Sequence, residues 1–224
     1  MPKKISVNEP VFDDSEVNIA QTILVSGLLS SSNMYGGKYV KIFEKQLSEL
    51  LDCKYAVAVN SGTSALYASL LSLGIKSGDE VLVPSFSFTA TASAVIATGA
   101  IPVFVDISSS NYNIDLSLIE SRISKKTKAI IPVHLYGHPV DIEQLSEITT
   151  ADNIPIIEDG AQSLGSSING KKCGTLGDLG CTSLYPTKVI TSGEGGVITT
   201  NDDELYNQLL MIRNHGLDKS GQTI

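Results

Sequence analysis

Residues 55–74, YAVAVNSGTSALYASLLSLG, carry the reading on which the fold turns. Tyr55 to Val59 is a short apolar run, the length and composition of a buried strand. The turn Asn60-Ser61-Gly62-Thr63 then opens a helix that closes near Gly74, with a Ser/Thr pair where helix starts prefer one. A strand, a small polar turn and a helix in that order form half of a βαβ unit, so the question is whether the alternation continues.

It does. GDEVLVP predicts a strand at Glu80 to Val83, a helix follows through Ala97, and IPVFVD gives a strand ending at Asp106. Asp115 to Arg122 reads as helical, with Asp115 near its start, where a carboxylate suits the helix dipole. Lys128 to Val133 is expected as a strand, Asp141 to Thr150 as a helix, and Ile154 to Ile157 as a strand ending in Glu158-Asp159. Strands near Cys181 to Leu184 and Val197 to Thr200 and a helix from Asp202 to Arg213 follow. Upstream, Val40, Phe43, Leu47, Leu50 and Leu51 recur at three- and four-residue spacing, the mark of an amphipathic helix. Ser15 to Val25 is weakly helical, and Leu28 to Lys38 is a Gly-rich loop. Apolar strands alternating with helices predict an α/β fold, a mostly parallel sheet with helices on both faces. No fixed-period repeat or low-complexity linker divides the chain. The closing HGLDKSGQTI reads as the start of a connection rather than as a terminal element.

The bulk numbers agree with a globular protein: 224 residues, 42% hydrophobic and 18% charged. A net charge of −8 argues against a nucleic-acid partner. No apolar run reaches membrane-spanning length, since the best stretch, Ala94 to Val105, is broken by Gly99 and Pro102. The opening MPKKISVNEP lacks the apolar core of a signal peptide. Cys53, Cys173 and Cys181 form no CxxC pair and no metal-ligand spacing, so reduced thiols and a cytoplasmic location are expected.

Four sites along this frame carry chemistry. At Asn60-Ser61-Gly62-Thr63-Ser64 the first helical N–H groups lack intrahelical partners, so an anion fits there; a plain N-cap is the alternative. Phe88, just past the strand ending at Pro84, could lie flat against a ring-shaped ligand, with core packing as the alternative and Phe86 competing for the role. Asp159 follows an apolar strand, and ligands bind at the carboxyl ends of strands in open α/β sheets. A carboxylate about 4 Å from a protonated ring nitrogen gains roughly 4 kcal/mol at an effective dielectric near 20, before desolvation. Gln162, three residues on, could bond a ring hydroxyl. Lys188 sits in CTSLYPTKVITSGEGG, Cys181 to Gly196; if walled off from water, such an amine favours its neutral, nucleophilic form. Ser183 is a second phosphate donor, and Gly193, Gly195 and Gly196 permit a tight turn.

An anion turn, a flat aromatic, a ring-nitrogen carboxylate and an imine-forming lysine together describe a site for pyridoxal 5'-phosphate. In NSGTSAL, PSFSFTATASAV, GAIPVFVDI, IEDGAQSLGS, YPTKVITSGEGG and RNHG the chain closely resembles the DegT/DnrJ/EryC1/StrS family of sugar aminotransferases, of aspartate-aminotransferase fold type I. The resemblance implies that Lys188 bonds the cofactor as an imine and acts as acid and base. It makes Asp159 the partner of the pyridine nitrogen, Gln162 a neighbour of the phenolic oxygen and Phe88 the stacking ring. Gly62, Thr63 and Ser183 become phosphate contacts. It further implies nucleotide-sugar and amino-acid substrates, with glutamate as donor, and a homodimer with shared sites whose Asn33 to Lys38 loop faces the partner. Residues 1–224 would be the large domain with an N-terminal helical segment, without the family's small C-terminal domain. Two readings stand beside this one: a sugar dehydratase of the same fold, in which histidine can replace the lysine, and a non-catalytic or truncated fragment. The chain departs from the family pattern at Thr182 and Leu184, where aromatics are common, and at Gly37, where proline is. His134 and His138 are expected to be structural, and Lys125 to Lys128 a solvated turn.

Overall fold

The computed structural model describes residues 8–218, 220 and 222. The opening MPKKISV and part of the closing HGLDKSGQTI lie outside the described residues.

Helix α1 (Asp14–Ser26) starts at a capping box formed by Asp13 and Glu16, and none of its residues is buried. Helix α2 (Lys38–Leu51) is amphipathic as its spacing predicts, with Leu47 and Leu51 inward. Strand β1 (Tyr55–Val59) leads through the N-cap Ser61 into α3 (Gly62–Ser72), and β2 (Glu80–Pro84) into α4 (Ala90–Ala97). Then come β3 (Ile101–Val105), β4 (Thr127–Ile130), α5 (Ile142–Thr149) and β5 (Ile157–Asp159). A small hairpin, β6 (Ser167–Ile168) with β7 (Lys171–Lys172), precedes β8 (Leu179–Ser183), β9 (Gly196–Thr200) and α6 (Asp203–Arg213).

Two hydrogen-bonded sheets, β1-β9-β8-β5 and β3-β2-β4, are joined side by side by parallel bridges from Ile130 to Ile156 and from Val133 to Asp159. Strand β9 runs antiparallel to both its neighbours; the pairs β8–β5, β4–β2 and β2–β3 are parallel. With β9 reversed between them, β1 and β8 point the same way. The ends of β1, β2, β4, β5 and β8 therefore open on one edge of the sheet, the edge where ligands bind in such folds.

Alternate side chains serve opposite faces, as the two-residue period of a strand requires. Val81 and Val83 pack with Leu66, Leu70 and Leu209 under α3, α4 and α6. Leu82, between them, packs with Ile130, Ile142 and Leu145 under α5. On β1, Val57 joins the first group while Ala56 joins Leu47 and Leu51 of α2. Both faces are covered, as the apolar strands predict.

Three local expectations are corrected, and one hairpin appears that was not expected. Asp115 to Arg122 forms two separate 3-10 turns, Leu116–Leu118 and Glu120–Arg122, with the fully buried Ile119 pinned at their junction. Asp115 does cap the first, accepting from the Ser117 N–H at 3.0 Å. Strand β4 stops at Ile130, two residues before Pro132, which has no N–H for a ladder. Strand β5 begins at Ile157 rather than Ile154, because Pro155 interrupts the pairing and the Ile156 N–H goes to the Asp178 carboxylate at 2.8 Å. The β6–β7 hairpin turns through Asn169 and Gly170, both at positive φ, an Asn-Gly signal present in the sequence. Among the described residues no helix is long and apolar enough to cross a membrane.

Strand β8 is packed to the limit at Gly180, where a Cβ would lie 2.0 Å from the Gly174 carbonyl oxygen and 2.5 Å from the Thr199 Oγ1. Those neighbours are backbone and a hydroxyl bonded to it. Gly180→Ala is expected to cost roughly 3 kcal/mol, or about 6–12 °C in melting temperature for a chain of this size. A melting curve that matches the wild type overturns this account of the packing.

Candidate active site

The five strand ends on this edge bring the sequence-predicted residues together. At the start of α3, the Ser64 N–H is taken by the Ser61 Oγ at 3.1 Å and the Ala65 N–H by the Ser61 carbonyl at 3.0 Å. The N–H groups of Gly62 and Thr63 precede any intrahelical acceptor, so they face an anion site with the positive end of the helix dipole behind them. Gly62 is required here: a Cβ would meet the Ser183 Cβ at 2.8 Å. Gly196 is required for the same reason, since its Cβ would fall 2.2 Å from the Ser61 carbonyl oxygen. The end of β8 and the start of β9 thus seat the helix start directly, and the Ser183 hydroxyl lies beside Gly62. Thr63 is exposed.

Asp159 ends β5 and is 5% exposed. One carboxylate oxygen accepts from the Thr91 Oγ1 at 2.9 Å and the other from the Ala161 N–H at 3.2 Å. Burial pushes this carboxyl above its ordinary value; the Thr91 hydroxyl, then the Ala161 N–H and the weaker electrostatic influence of His134 and Lys188, pull the other way without offsetting it. The Lys188 influence places that amine within electrostatic reach of Asp159.

Lys188 lies in the β8–β9 connection, its N–H donated to the Tyr185 carbonyl at 2.9 Å. It is half-buried rather than walled off, because Tyr185, Val189 and Ile190 around it turn outward and are exposed. The sequence leaves this lysine either walled off or on a solvated loop, and these residues by themselves do not form a dry pocket. Thr182 and Leu184 are both buried, Leu184 in the cluster under α2, so the departures at these positions concern packing.

Phe88 and Phe86 separate clearly. Phe86 tilts against Tyr112, ring centroids 6.3 Å apart. Phe88 has no ring partner among the described residues and is 70% exposed, so the core-packing alternative fails and a large apolar face is left for a flat ligand. Its carbonyl accepts the Thr91 N–H at 3.2 Å, which ties the ring's position to the residue that reaches Asp159. Gln162 Oε1 accepts the Tyr136 N–H at 2.9 Å, so its amide NH₂ remains to donate to a ligand oxygen. Two surface cavities, of about 430 and 420 Å³, lie elsewhere on the chain and include none of these residues. Among the described residues no cluster suits a metal ion.

Three participants escaped sequence reasoning. Thr91 looked like one of several helix residues in PSFSFTATASAV. Glu158 was read only as a strand end, although a carboxylate within an apolar strand signals a buried partner. It is fully buried and accepts from the His134 Nε2 at 2.8 Å and from the N–H groups of Gly174, Leu176 and Gly177 at 2.8, 2.7 and 2.8 Å. His134 takes the Val140 N–H on Nδ1 at 3.0 Å, so its structural role holds. Tyr136, held at φ 53, stands 74% exposed at the rim.

The sequence profile of the DegT/DnrJ/EryC1/StrS aminotransferase family matches residues 16–224. GDP-perosamine synthase of Escherichia coli O157:H7 is 42% identical over 215 residues, covering 96% of this chain and 58% of the relative. The crystal structure of an aminotransferase from Psychrobacter cryohalolentis superposes with a TM-score of 0.89 at 35% identity, over 94% of this chain and 53% of that one. A GDP-4-keto-6-deoxy-D-mannose-3-dehydratase from E. coli, solved with bound hydrated PLP, superposes at 0.87 with 33% identity, over 95% of this chain and 55% of that one. The chain thus spans little more than half the length of these relatives.

Glu158→Gln keeps the shape but turns an NH₂ toward a buried N–H, leaving at least one donor unpaired at a cost of roughly 2 kcal/mol or more. A lower melting temperature is expected, with faster amide exchange at Gly174, Leu176 and Gly177. Wild-type stability and exchange would show that these bonds do not hold the strand end.

Proposed function

The chain belongs to the DegT/DnrJ/EryC1/StrS aminotransferase family, and from that premise we propose that it is the cofactor-binding domain of a pyridoxal 5'-phosphate-dependent aminotransferase. In this reading residues 1–224 are the large domain, and the reaction converts a nucleotide-linked keto-sugar to an amino-sugar with glutamate as donor. The observation that carries it is the convergence of the α3 start, Asp159 and Lys188 on one sheet edge.

The donor set suits the cofactor. An anion-binding helix start with Ser183 beside it matches a phosphate, and the absence of a side chain at Gly62 lets the Ser183 hydroxyl pack directly against that helix start. Gly62, Thr63 and Ser183 would hold the phosphate, Phe88 would lie on the ring, Gln162 would donate to the phenolic oxygen, and Asp159 would face the ring nitrogen. Lys188 would hold the aldehyde carbon covalently. When bound, pyridoxal phosphate supplies an electron sink for the carbon that gains or loses the amino group. Asp159 strengthens that sink only while ionised, so the bonds from Thr91 and Ala161 count against its burial. With its amine free, Lys188 on this half-buried loop would serve as the base that takes a proton at Nζ and returns it. No histidine is needed for this transfer: His134 is committed to Glu158 and Val140, and His138 is exposed.

The E. coli dehydratase is nearly as similar in fold as the aminotransferase, so the fold does not discriminate between the two activities. Lys188 favours amino transfer, because it keeps at this position an amine that can both hold the cofactor and return protons. Release of ammonia from an amino-acid donor, without amino-sugar formation, would assign the dehydratase.

The exposed apolar surface supports a homodimer. Phe88, Tyr136, Tyr185, Val189 and Ile190 at the site and Val17, Leu24 and Val25 on α1 are exposed apolar groups that a second copy would cover. A cytoplasmic location fits sugar-nucleotide substrates.

Borohydride treatment of the protein loaded with pyridoxal phosphate is expected to fix the cofactor on the peptide carrying Lys188. Lys188→Ala and Lys188→Arg lose both this adduct and all amino transfer. An adduct on another lysine, or one surviving in Lys188→Ala, overturns the assignment.

A further inference from the structure

We propose that Thr91, backed by Ser87, is the positioning residue that fixes the Asp159 carboxylate toward the cofactor's ring nitrogen. The inference rests on the cofactor reading above and assigns a role to a residue that neither the sequence pattern nor the comparisons single out.

Asp159 is surrounded from every element that packs on it, yet few groups support its charge. Beside it on β5, Glu158 is committed to His134 and to the Gly174–Gly177 turn. Past the end of β4, His134 accepts on Nδ1 from Val140, so its single ring proton sits on Nε2 and goes to Glu158. Opposite it on β8, the Cys181 thiol is fully buried and pushed well above its ordinary value, so it brings no charge. Lys188 acts on Asp159 only through space, as the weakest of the influences on its carboxyl, and donates no hydrogen bond to it. Thr91 remains, the only side chain among the described residues that donates to Asp159. The Ala161 N–H supports the second oxygen at 3.2 Å, a longer bond than the 2.9 Å from Thr91.

A threonine hydroxyl has one proton, and an ionised carboxylate only accepts. The Thr91 proton therefore goes to Asp159, and the Ser87 hydroxyl, 2.9 Å from the Thr91 Oγ1, donates to Thr91 in turn. Each link polarises the next, so the bond to the carboxylate is stronger than an isolated one. The same segment also sets Phe88, whose carbonyl accepts the Thr91 N–H. One turn at the start of α4 thus carries the ring for one face of the cofactor and the hydroxyl that orients the group at its nitrogen. A purely structural role for Thr91 would need only its shape; a positioning role needs its proton.

Thr91→Val keeps the shape and removes the proton, Thr91→Ser keeps the proton, and Ser87→Ala removes the supporting donor. Pyridoxal phosphate is titrated into each purified protein, followed by its visible absorbance from pH 5 to 9, with a melting curve for each. Thr91→Val is expected to bind about tenfold more weakly at neutral pH, with the acid limb of binding moved up by about one pH unit, the size of one lost bond to a charged group. Loss of that bond favours the protonated carboxyl, so the limb moves up and not down. Thr91→Ser restores most of the affinity, and Ser87→Ala moves the limb the same way by a smaller step. If Thr91→Val does not fold, the direction of the Ser87→Ala limb decides. Wild-type affinity and limb in Thr91→Val, or equal losses in Thr91→Val and Thr91→Ser, overturn the proposal while leaving the cofactor reading intact, provided the wild type binds through Lys188. A wild type that does not bind the cofactor through Lys188 overturns both.

Discussion

One buried carboxylate holds the edge of this sheet in register. Glu158 has no contact with water and accepts four hydrogen bonds, one from a histidine and three from the backbone of a single turn. An unpaired charge at that depth would cost several kcal/mol, so the site is stable only because every donor is in place. Those donors come from the turn before β8 and from the segment after β4. By binding both, Glu158 fixes β5 between its parallel neighbours, and the next residue, Asp159, emerges at a defined point on the edge. The position of the carboxylate that would face a ring nitrogen is thus set by the carboxylate that faces away from it.

A second, largely buried pair performs the same service at the other side of the sheet. Glu44 of α2 accepts from Arg213 of α6 and, at 2.8 Å, from the Ala58 N–H of β1. Burial pushes the Glu44 carboxyl up while the Ala58 N–H and Arg213 draw it down, and burial is the larger influence. Such a pair contributes little net stability, but removing one partner would strand the other. Arg213 also donates to the Met34 carbonyl at 2.9 Å. The Gly-rich loop before α2 is therefore tied to the last helix, which gives the loop proposed to meet a partner subunit a fixed base.

Much of this was legible in the sequence because it depends on local rules. The Ser61 cap, the Asp115 cap, the apolar strands and the spacing of α2 are written in neighbouring residues. The order of strands could not be read that way: β1 lies beside β9 because Gly196 lets the chain pass within reach of Ser61, a contact between positions far apart. Pro132 and Pro155 shortened β4 and β5 by removing N–H donors, a rule that was available but outweighed by the apolar runs around them. The candidate site divides in the same manner. Asp159, Gln162 and Gly62 were found by their place after strands, whereas Thr91 and Glu158 act through partners that only the fold supplies. Whether Lys188 is enclosed was left open by its sequence, because enclosure is a property of what covers a loop rather than of the loop's own residues.

That difference separates two layers of the site. The floor consists of strand ends and the start of α3, and its groups are fixed by hydrogen bonds within the chain: Ser61 to Ser64, Thr91 to Asp159, Tyr136 to Gln162. The rim consists of side chains that expose apolar surface, Phe88 and Tyr136 above all. Under the proposed function, groups held by directional bonds would meet an anion, a ring nitrogen and a phenolic oxygen without further cover. Exclusion of water needs a surface laid over the rim, and exposed rings are what such a surface would bury. Under the proposed dimer, the groups that would face the ring belong to one chain, and the dry environment that strengthens every charge in the site is a property of the assembly.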